Sequence, residues 1–295
     1  MPSLKEVKSR IQSVISTQQI TKAMKMVAAA KLRKSQDRIT QLRPYAEKLN
    51  AILKNLSSAQ TGESDAWYSE VRAEQKILLI AVSSDRGLCG SFNSNVFKGV
   101  LRVIEEKYPT QFAKGNVTIL TVGKKASDFF GKRKYSVNDN HSHLFSSLTF
   151  ASASAIGDYA MSAFREGKYD KVEVIYNEFK NVATQILRTQ QLLPIEPPTE
   201  DANATANQID YIYEPNQEDI ISGIIPKSIN IQIFKALLDS NASENGARMT
   251  AMDKATDNAG ELLKDLKLTY NRTRQAAITK EILEIVGGAE ALKAS

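Results

Sequence analysis

The first 58 residues carry one apolar stripe at the spacing of a helix. Twelve of the 16 seam positions between residues 4 and 56, spaced alternately three and four apart, are apolar. The stripe begins Leu4, Val7, Ile11, Val14, and its polar exceptions are Gln18, Thr21, Lys25 and Ser35. Because the stripe stays in phase past Pro44, we expect this proline to bend the helix or remove one hydrogen bond, not to end it. A helix of about 80 Å with such a seam is typical of a coiled coil and needs a partner.

The other end of the chain carries the partner stripe. No proline follows Pro226. The apolar positions are Met252, Ala255, Ala259, Leu262 and Leu266, followed less regularly by Ala276, Ile278, Ile282 and Ile285. Two long helices at opposite ends of a chain pair most economically as an antiparallel hairpin, and the small side chains of Ala255 and Ala259 permit close approach of the two backbones. Gly287 and Gly288 are predicted to stop the last helix or to let it narrow.

The middle of the chain alternates short apolar runs with helical segments, which predicts a mostly parallel sheet. The predicted strands are Ile77–Val82, Val117–Val122 and Val172–Tyr176, with Thr184–Leu193 as an antiparallel addition, and the predicted helices are Asn93–Tyr108 and Ala151–Arg165. Glu196–Asn207 is polar and aperiodic, as in an exposed loop. The predicted fold class is therefore α/β. A Rossmann-like domain (75–210) is inserted, after a linker at 57–74, between the arms of a long antiparallel two-helix coiled coil (1–58 and 211–295).

The strongest candidate for chemistry is the turn Ser83–Asn93, where a strand leads through Gly87 and Gly90 into a helix. Such a turn can present backbone amides to a phosphate. No phosphate-loop motif and no third glycine of a dinucleotide site are present, so the pattern favours a tight turn. Cys89 would need a base beside it to act as a nucleophile, and the two histidines, His141 and His143, lie far along the chain. The sequence predicts no catalytic residue, no metal site and no cofactor.

Charge is concentrated at the start of the chain. The net charge is +6, and residues 1–60 alone carry 12 basic and three acidic side chains. This basic arm indicates an acidic partner, which could be nucleic acid, anionic lipid or protein; the alternative is a solvated helix face. Thr21–Lys34 combines lysines and arginine with small alanines and methionines, and such a slim surface suits sliding contact with an acidic protein. An ordinary amphipathic helix is the alternative.

Four motifs in this order resemble the gamma-subunit family of F-type ATP synthases. They are TQQITKAMKMVAAAKLRKSQDR (Thr17–Arg38), SSDRGLCGSFN (Ser83–Asn93), ARMTAMDKATDNAGEL (Ala247–Leu262) and ITKEILEIVGGAEAL (Ile278–Leu292). The resemblance covers nearly the whole chain, and the start at Met1 is typical of a bacterial member. The cysteine-bearing insertion of chloroplast members is absent, so thiol control is not expected.

The resemblance implies a non-catalytic rotor that transmits torque. The hairpin would turn inside a ring of alpha and beta subunits, with the α/β domain on the c-ring beside the epsilon subunit, at the cytoplasmic side of a bacterial inner membrane. Lys22, Met24 and Lys25 would face the acidic lever region of the ring. The resemblance further implies ring contacts for Arg248, Arg274, Gln275 and Thr279.

Two other classes of protein share some of these sequence features. A coiled-coil nucleic-acid-binding protein would account for the basic arm, but it predicts interleaved aromatic residues, and Tyr45 is the arm's only aromatic side chain. An enzyme on a Rossmann-like domain would need the phosphate-binding or acid–base residues that the motifs lack.

Overall fold

A computed structural model describes residues 3–58, 67–195 and 217–294 of the 295-residue chain, with the side chains of residues 47, 50–58, 217–222 and 290–294 left aside. The predicted loop Glu196–Asn207 lies outside the described residues. The helices are α1 (Leu4–Ser58), α2 (Phe92–Lys107), α3 (Pro109–Ala113), α4 (Lys124–Lys132), α5 (Phe150–Arg165) and α6 (Gln217–Ala294). The strands are β1 (Ile77–Val82), β2 (Val117–Val122), β3 (Ser136–Asn138), β4 (Lys171–Phe179) and β5 (Gln185–Leu193).

The chain divides into two compact units. One, the sheet unit, is Ala29–Arg248, and the other, the terminal unit, joins Met1–Ala28 to Met249–Ser295. The long helices α1 and α6 contribute residues to both. The three-segment division predicted from the sequence stays a prediction.

The sheet unit contains a five-stranded sheet in the order β3-β2-β1-β4-β5. The first four strands are parallel, and β5 pairs antiparallel with β4, as predicted. This is the strand order of a doubly wound fold, completed by an antiparallel edge strand. All six residues of β1 are buried because helices cover both faces of the sheet.

Each face of the sheet has its own core. On one face, α5 and the first turns of α6 pack over β1, β2 and β4, with Ile156, Phe164, Ile229 and Ile233 fully buried. On the other face, α2 and α4 cover the alternate residues of the same strands, centred on Val100 and Phe130. The insertion is therefore anchored to α6 by hydrophobic packing.

The seam predicted along α1 is confirmed within each unit. Every predicted seam position from Leu4 to Leu49 is buried or half-buried, the polar ones included. In the sheet unit, the hydroxyl of Ser35 donates to Asn241 Oδ1 of α6 at 2.6 Å. The α1 helix continues through Pro44, as the unbroken phase of the stripe predicts.

Three sequence-based expectations need correction. Leu262 is 49% exposed and Leu263 is half-buried in its place, whereas the other predicted seam positions, Met252, Ala255, Ala259 and Leu266, are buried or half-buried. Gly287 and Gly288 do not stop α6, which continues to Ala294, because a glycine keeps its backbone hydrogen-bonding groups and weakens a helix by only about 1 kcal/mol relative to alanine. The elements α3, α4 and β3 were not predicted.

Candidate partner-contact surfaces

The terminal unit is an antiparallel pair of helices whose seam is polar at its centre. The hydroxyl oxygens of Thr21 and Thr256 lie 2.8 Å apart, and Gln18 Nε2 donates to the backbone oxygen of Thr256 at 3.4 Å. One turn further along α1, the ammonium of Lys25 pairs with the Asp253 carboxylate. The predicted polar exceptions of the stripe are thus paired across the helices.

The three residues expected to face an acidic partner, Lys22, Met24 and Lys25, have different environments. Lys22 is exposed, and Met24 is half-buried. Lys25 is half-buried too, but its charge is met by Asp253. In the sheet unit, α1 continues with exposed basic side chains at Lys31, Arg33 and Lys34. The basic surface predicted from the sequence is therefore solvent-facing except at Lys25.

The last described turns of α6 form an exposed, largely apolar surface. From Arg274 to residue 289, every described side chain except Ala277 is exposed. Arg274, Gln275 and Thr279 belong to this stretch, and the Thr279 hydroxyl donates to the Gln275 backbone oxygen at 2.9 Å. Five large apolar side chains here are between 48% and 71% exposed, namely Ile278, Ile282, Leu283, Ile285 and Val286. Several large exposed apolar side chains so close together make this stretch a candidate interaction surface.

Arg248 is held by groups of the sheet unit. Its guanidinium pairs with Glu244 one turn earlier and donates to the backbone oxygens of Arg86 and Gly87 at 3.0 and 3.2 Å. Burial raises the pKa of Glu244, and the positive charge of Arg248 opposes that rise. Arg248 therefore ties the turn Ser83–Asn93 to α6, a role that the sequence pattern did not indicate.

The turn after β1 is ordered by internal hydrogen bonds. Asn93 Oδ1 accepts from the backbone amide of Ser84 at 3.0 Å, and Asn93 Nδ2 donates to the Ser84 hydroxyl at 2.8 Å. Cys89 is 2% exposed and packs with Phe92 and Ala247 of α6. The crevice where doubly wound sheets bind ligands lies beyond the carboxyl ends of the strands, and this packing helps to fill it.

The amides at the start of α4 are also occupied. The Ser83 hydroxyl accepts from Ala126 N at 2.9 Å, Asp85 Oδ1 from Lys124 N at 3.2 Å, and the backbone oxygen of Ser84 from Lys125 N at 3.1 Å. Gly123 precedes them at φ 95°, and a Cβ there would lie 2.2 Å from the Ser83 backbone oxygen. These protein groups fill the place that a phosphate would take at a helix N-terminus.

The remaining candidates for chemistry lie apart. Burial raises the pKa of the Cys89 thiol, and it lowers the pKa of His141. Among the described residues, no group of three or more His, Cys, Asp or Glu side chains could hold a metal ion. In the described ranges, no helix combines the length and the apolar character needed to cross a bilayer.

Comparison with known proteins covers the whole chain. Residues 3–292 match the protein family described as ATP synthase. The ATP synthase gamma chain of Cytophaga hutchinsonii is 57% identical over 293 residues, with 99% of both chains covered. The ATP synthase gamma chain of Flavobacterium johnsoniae is 54% identical over 293 residues, again with 99% of both covered.

Solved structures share the fold. A chain of the central stalk and c-ring of the Tetrahymena thermophila mitochondrial ATP synthase is 28% identical, with a TM-score of 0.57, and the match covers 80% of this chain and 99% of that one. A chain of the Euglena gracilis mitochondrial ATP synthase is 22% identical, with a TM-score of 0.66, and the match covers 99% and 95%.

Proposed function

The chain belongs to the ATP synthase gamma family and is a rotor subunit of the central stalk, and we propose that its paired terminal helices transmit torque between a c-ring and a ring of alpha and beta subunits. One observation carries the proposal best. The terminal unit is a slim helix pair with a cross-paired polar seam, and it ends in the exposed apolar surface of residues 274–289. Such a unit suits a shaft enclosed by partners.

We further propose that the chain has no catalytic site of its own. The support is chemical: Ser83, Asp85 and the Ser84 backbone oxygen occupy the amides at the start of α4, and burial raises the pKa of the Cys89 thiol, which disfavours the reactive thiolate. Catalysis would then belong to the surrounding subunits, and this chain would change their state by turning.

The contact residues divide by environment. Lys22 and Met24 are proposed to face the acidic region of the ring, and Arg274, Gln275 and Thr279 to contact the loops that enclose the apolar end of α6. All but Met24 are exposed, and Met24 is half-buried. For Lys25 and Arg248 a ring contact stays a prediction, because both side chains are engaged within the chain.

The remaining partners and the location are proposals of the same kind. The complex is membrane-associated, and we propose that the sheet unit meets the c-ring and an epsilon subunit at the cytoplasmic side of a bacterial inner membrane. The similar solved structures are of a central stalk with its c-ring and of an F1 with a c-ring. The nucleic-acid alternative finds no support among the similar proteins.

Co-assembly tests the proposal. Co-expressed with the alpha and beta subunits of Cytophaga hutchinsonii, whose gamma chain is 57% identical, this chain should co-purify with both. A variant lacking residues 274–295 loses the exposed end of α6, and its yield of assembled complex should be lower than that of the intact chain. This comparison shows whether that end of α6 contributes to assembly. Purification of the intact chain alone, or with nucleic acid in place of the two subunits, would refute the proposed function.

A further inference from the structure

The polar residues in the seam of the terminal unit each contact a polar group of the opposite helix. Thr21 is 8% exposed, and its hydroxyl lies 2.8 Å from that of Thr256. Lys25, on the next turn, pairs with Asp253. In a coiled coil, a polar seam residue lowers stability relative to an apolar one but specifies the alignment of the helices.

The energetic value of these pairs is small, so stability is not what they supply. The side chains of Lys25 and Asp253 are 40% and 50% exposed, and an ion pair so accessible to water contributes at most about 1 kcal/mol. The apolar contacts beside it hold the helices together, but because the seam of α6 repeats every seven residues, a slip of one heptad would re-form similar apolar contacts. Directional hydrogen bonds and opposite charges do distinguish one alignment from another.

A shifted alignment loses both pairs. If α1 moved by seven residues along α6, about 10 Å, so that Lys25 came level with Gly260, Thr21 would come level with Leu263. Lys25 would lose Asp253, and the Thr21 hydroxyl would lose Thr256, although it would keep the Gln18 backbone oxygen that lies 3.0 Å away in its own helix.

We propose that Thr21, Lys25, Asp253 and Thr256 form a register lock that keeps α1 from sliding along α6 when the helix pair is under torque. The proposal rests on the rotor function for its physiological meaning. In this proposal Lys25 and Asp253 are positioning residues, because their ion pair fixes the alignment of α1 on α6. It also accounts for the polar interruption of an otherwise apolar stripe at positions 21 and 25.

The alignment itself can be measured on the full chain without any partner. Spin labels at the exposed positions Ser9 and Lys267, in a Cys89→Ser background, report the distance between the two helices. Lys25→Asp faces Asp253 with a like charge, and it should broaden the distance distribution or add a population displaced by about 5–10 Å, which is one to two turns. The charge swap Lys25→Asp/Asp253→Lys should restore the single narrow distribution.

A matched control separates alignment from net charge. Lys22 and Asp257 are exposed neighbours of the pair, and neither forms an ion pair among the described residues. Lys22→Asp/Asp257→Lys makes the same changes of charge outside the seam and should leave the distribution unchanged. If Lys25→Asp also leaves it unchanged, or if the swap fails to restore it, the register lock is overturned.

The assembled complex gives a second readout. In membranes containing the complete synthase, Lys25→Asp should reduce ATP-driven proton pumping several-fold relative to ATP hydrolysis, and the swap should recover it. Pumping lost in both variants, although the swap restores the distance, would overturn the claim that this alignment is what the pair supplies to coupling. A wild-type chain that fails to assemble would instead refute the rotor function, while the distance measurement would still decide the lock.

Discussion

The hydroxyl oxygens of Thr21 and Thr256 lie 2.8 Å apart, although 235 positions separate the two residues in the chain. The contact joins α1 to α6 at the level where the seam is most polar, and the Lys25–Asp253 pair lies one turn away. Each hydroxyl also lies within hydrogen-bonding distance of a backbone oxygen of its own helix, Thr21 at 3.0 Å from Gln18 and Thr256 at 2.7 Å from Met252, so both are satisfied where the helices approach closely. The slim, polar centre of the helix pair is therefore an internally matched structure.

Arg248 and Glu244 provide the first prediction. Their side chains are 13% and 11% exposed, so Arg248→Met would leave a buried carboxylate unpaired at a cost of about 3–5 kcal/mol. The double variant Arg248→Met/Glu244→Gln removes that charge and should recover most of the loss. Urea denaturation of the isolated chain measures both. Unchanged stability of Arg248→Met, together with lost pumping in the complex, would assign Arg248 to the ring instead.

The close approach of α5 to α6 at Gly157 provides the second. A Cβ at Gly157 would lie 1.9 Å from Asn230 Oδ1, and Asn230 is already held by its amide, which donates to Asp158 at 3.1 Å. Gly157→Ala should therefore destabilise the sheet unit by about 1–3 kcal/mol. Gly131→Ala in α4 is the control, because nothing lies within 4 Å of its Cβ and alanine favours a helix. Equal stability of the two variants would contradict this packing.

Asp239 gives the isolated chain a pH dependence. Burial raises the pKa of this carboxyl to about 6, Glu178 adds to the rise, and Lys235 and Arg43 oppose it. Because the folded state binds the proton more tightly than the unfolded state, this group's contribution to stability is greatest below about pH 4 and falls as pH rises through 6. The total is on the order of 2–3 kcal/mol.

Asp239→Asn removes that titration while keeping the shape of the side chain. The variant's stability should exceed that of the wild type above pH 6, and the difference should shrink towards pH 4. Urea denaturation at intervals between pH 4 and 8 measures it. Parallel stability curves for the two proteins would show that Asp239 titrates normally.

The exposed end of α6 should contribute contact and little stiffness. Deleting Gly287–Ser295 removes the end of α6, where residues 287–289 are exposed. The free energy of unfolding of the isolated chain should therefore change by no more than about 0.5 kcal/mol. Pumping by the complex should fall modestly. Complete loss of coupling with normal assembly would mean that the tip carries torque.

The sequence predicted the α1 seam and the order of sheet elements because both depend on strong periodicity. The prediction of the α6 seam was wrong at one position, because Leu262 and Leu263 are adjacent and hydropathy alone cannot decide which of them faces α1. The strand β3 has only three residues and α4 only nine, so both are shorter than the stretches of about 4 and about 11 residues over which periodicity predicts a strand or a helix. Gly287 and Gly288 weaken a helix locally without ending it.

The candidate surfaces were less predictable than the fold. Lys25 is one of many basic residues in the N-terminal helix, and its local spacing does not indicate a pairing with Asp253. Arg248 lies in one of the four family motifs, and its local spacing does not indicate hydrogen bonds to the turn after β1. One signal was available for Lys25. It occupies a seam position, and a charge at such a position requires a counter-charge on the opposite helix.

Direct observation of rotation tests the central claim. With the alpha and beta ring fixed to a surface and a bead attached through a cysteine introduced at the exposed Lys180 of the sheet unit, in a Cys89→Ser background, ATP should drive continuous rotation in one direction. The rotation should stop when ATP is withdrawn. A bead that stays still while the same complexes hydrolyse ATP would contradict the assignment of this chain as the torque-bearing rotor.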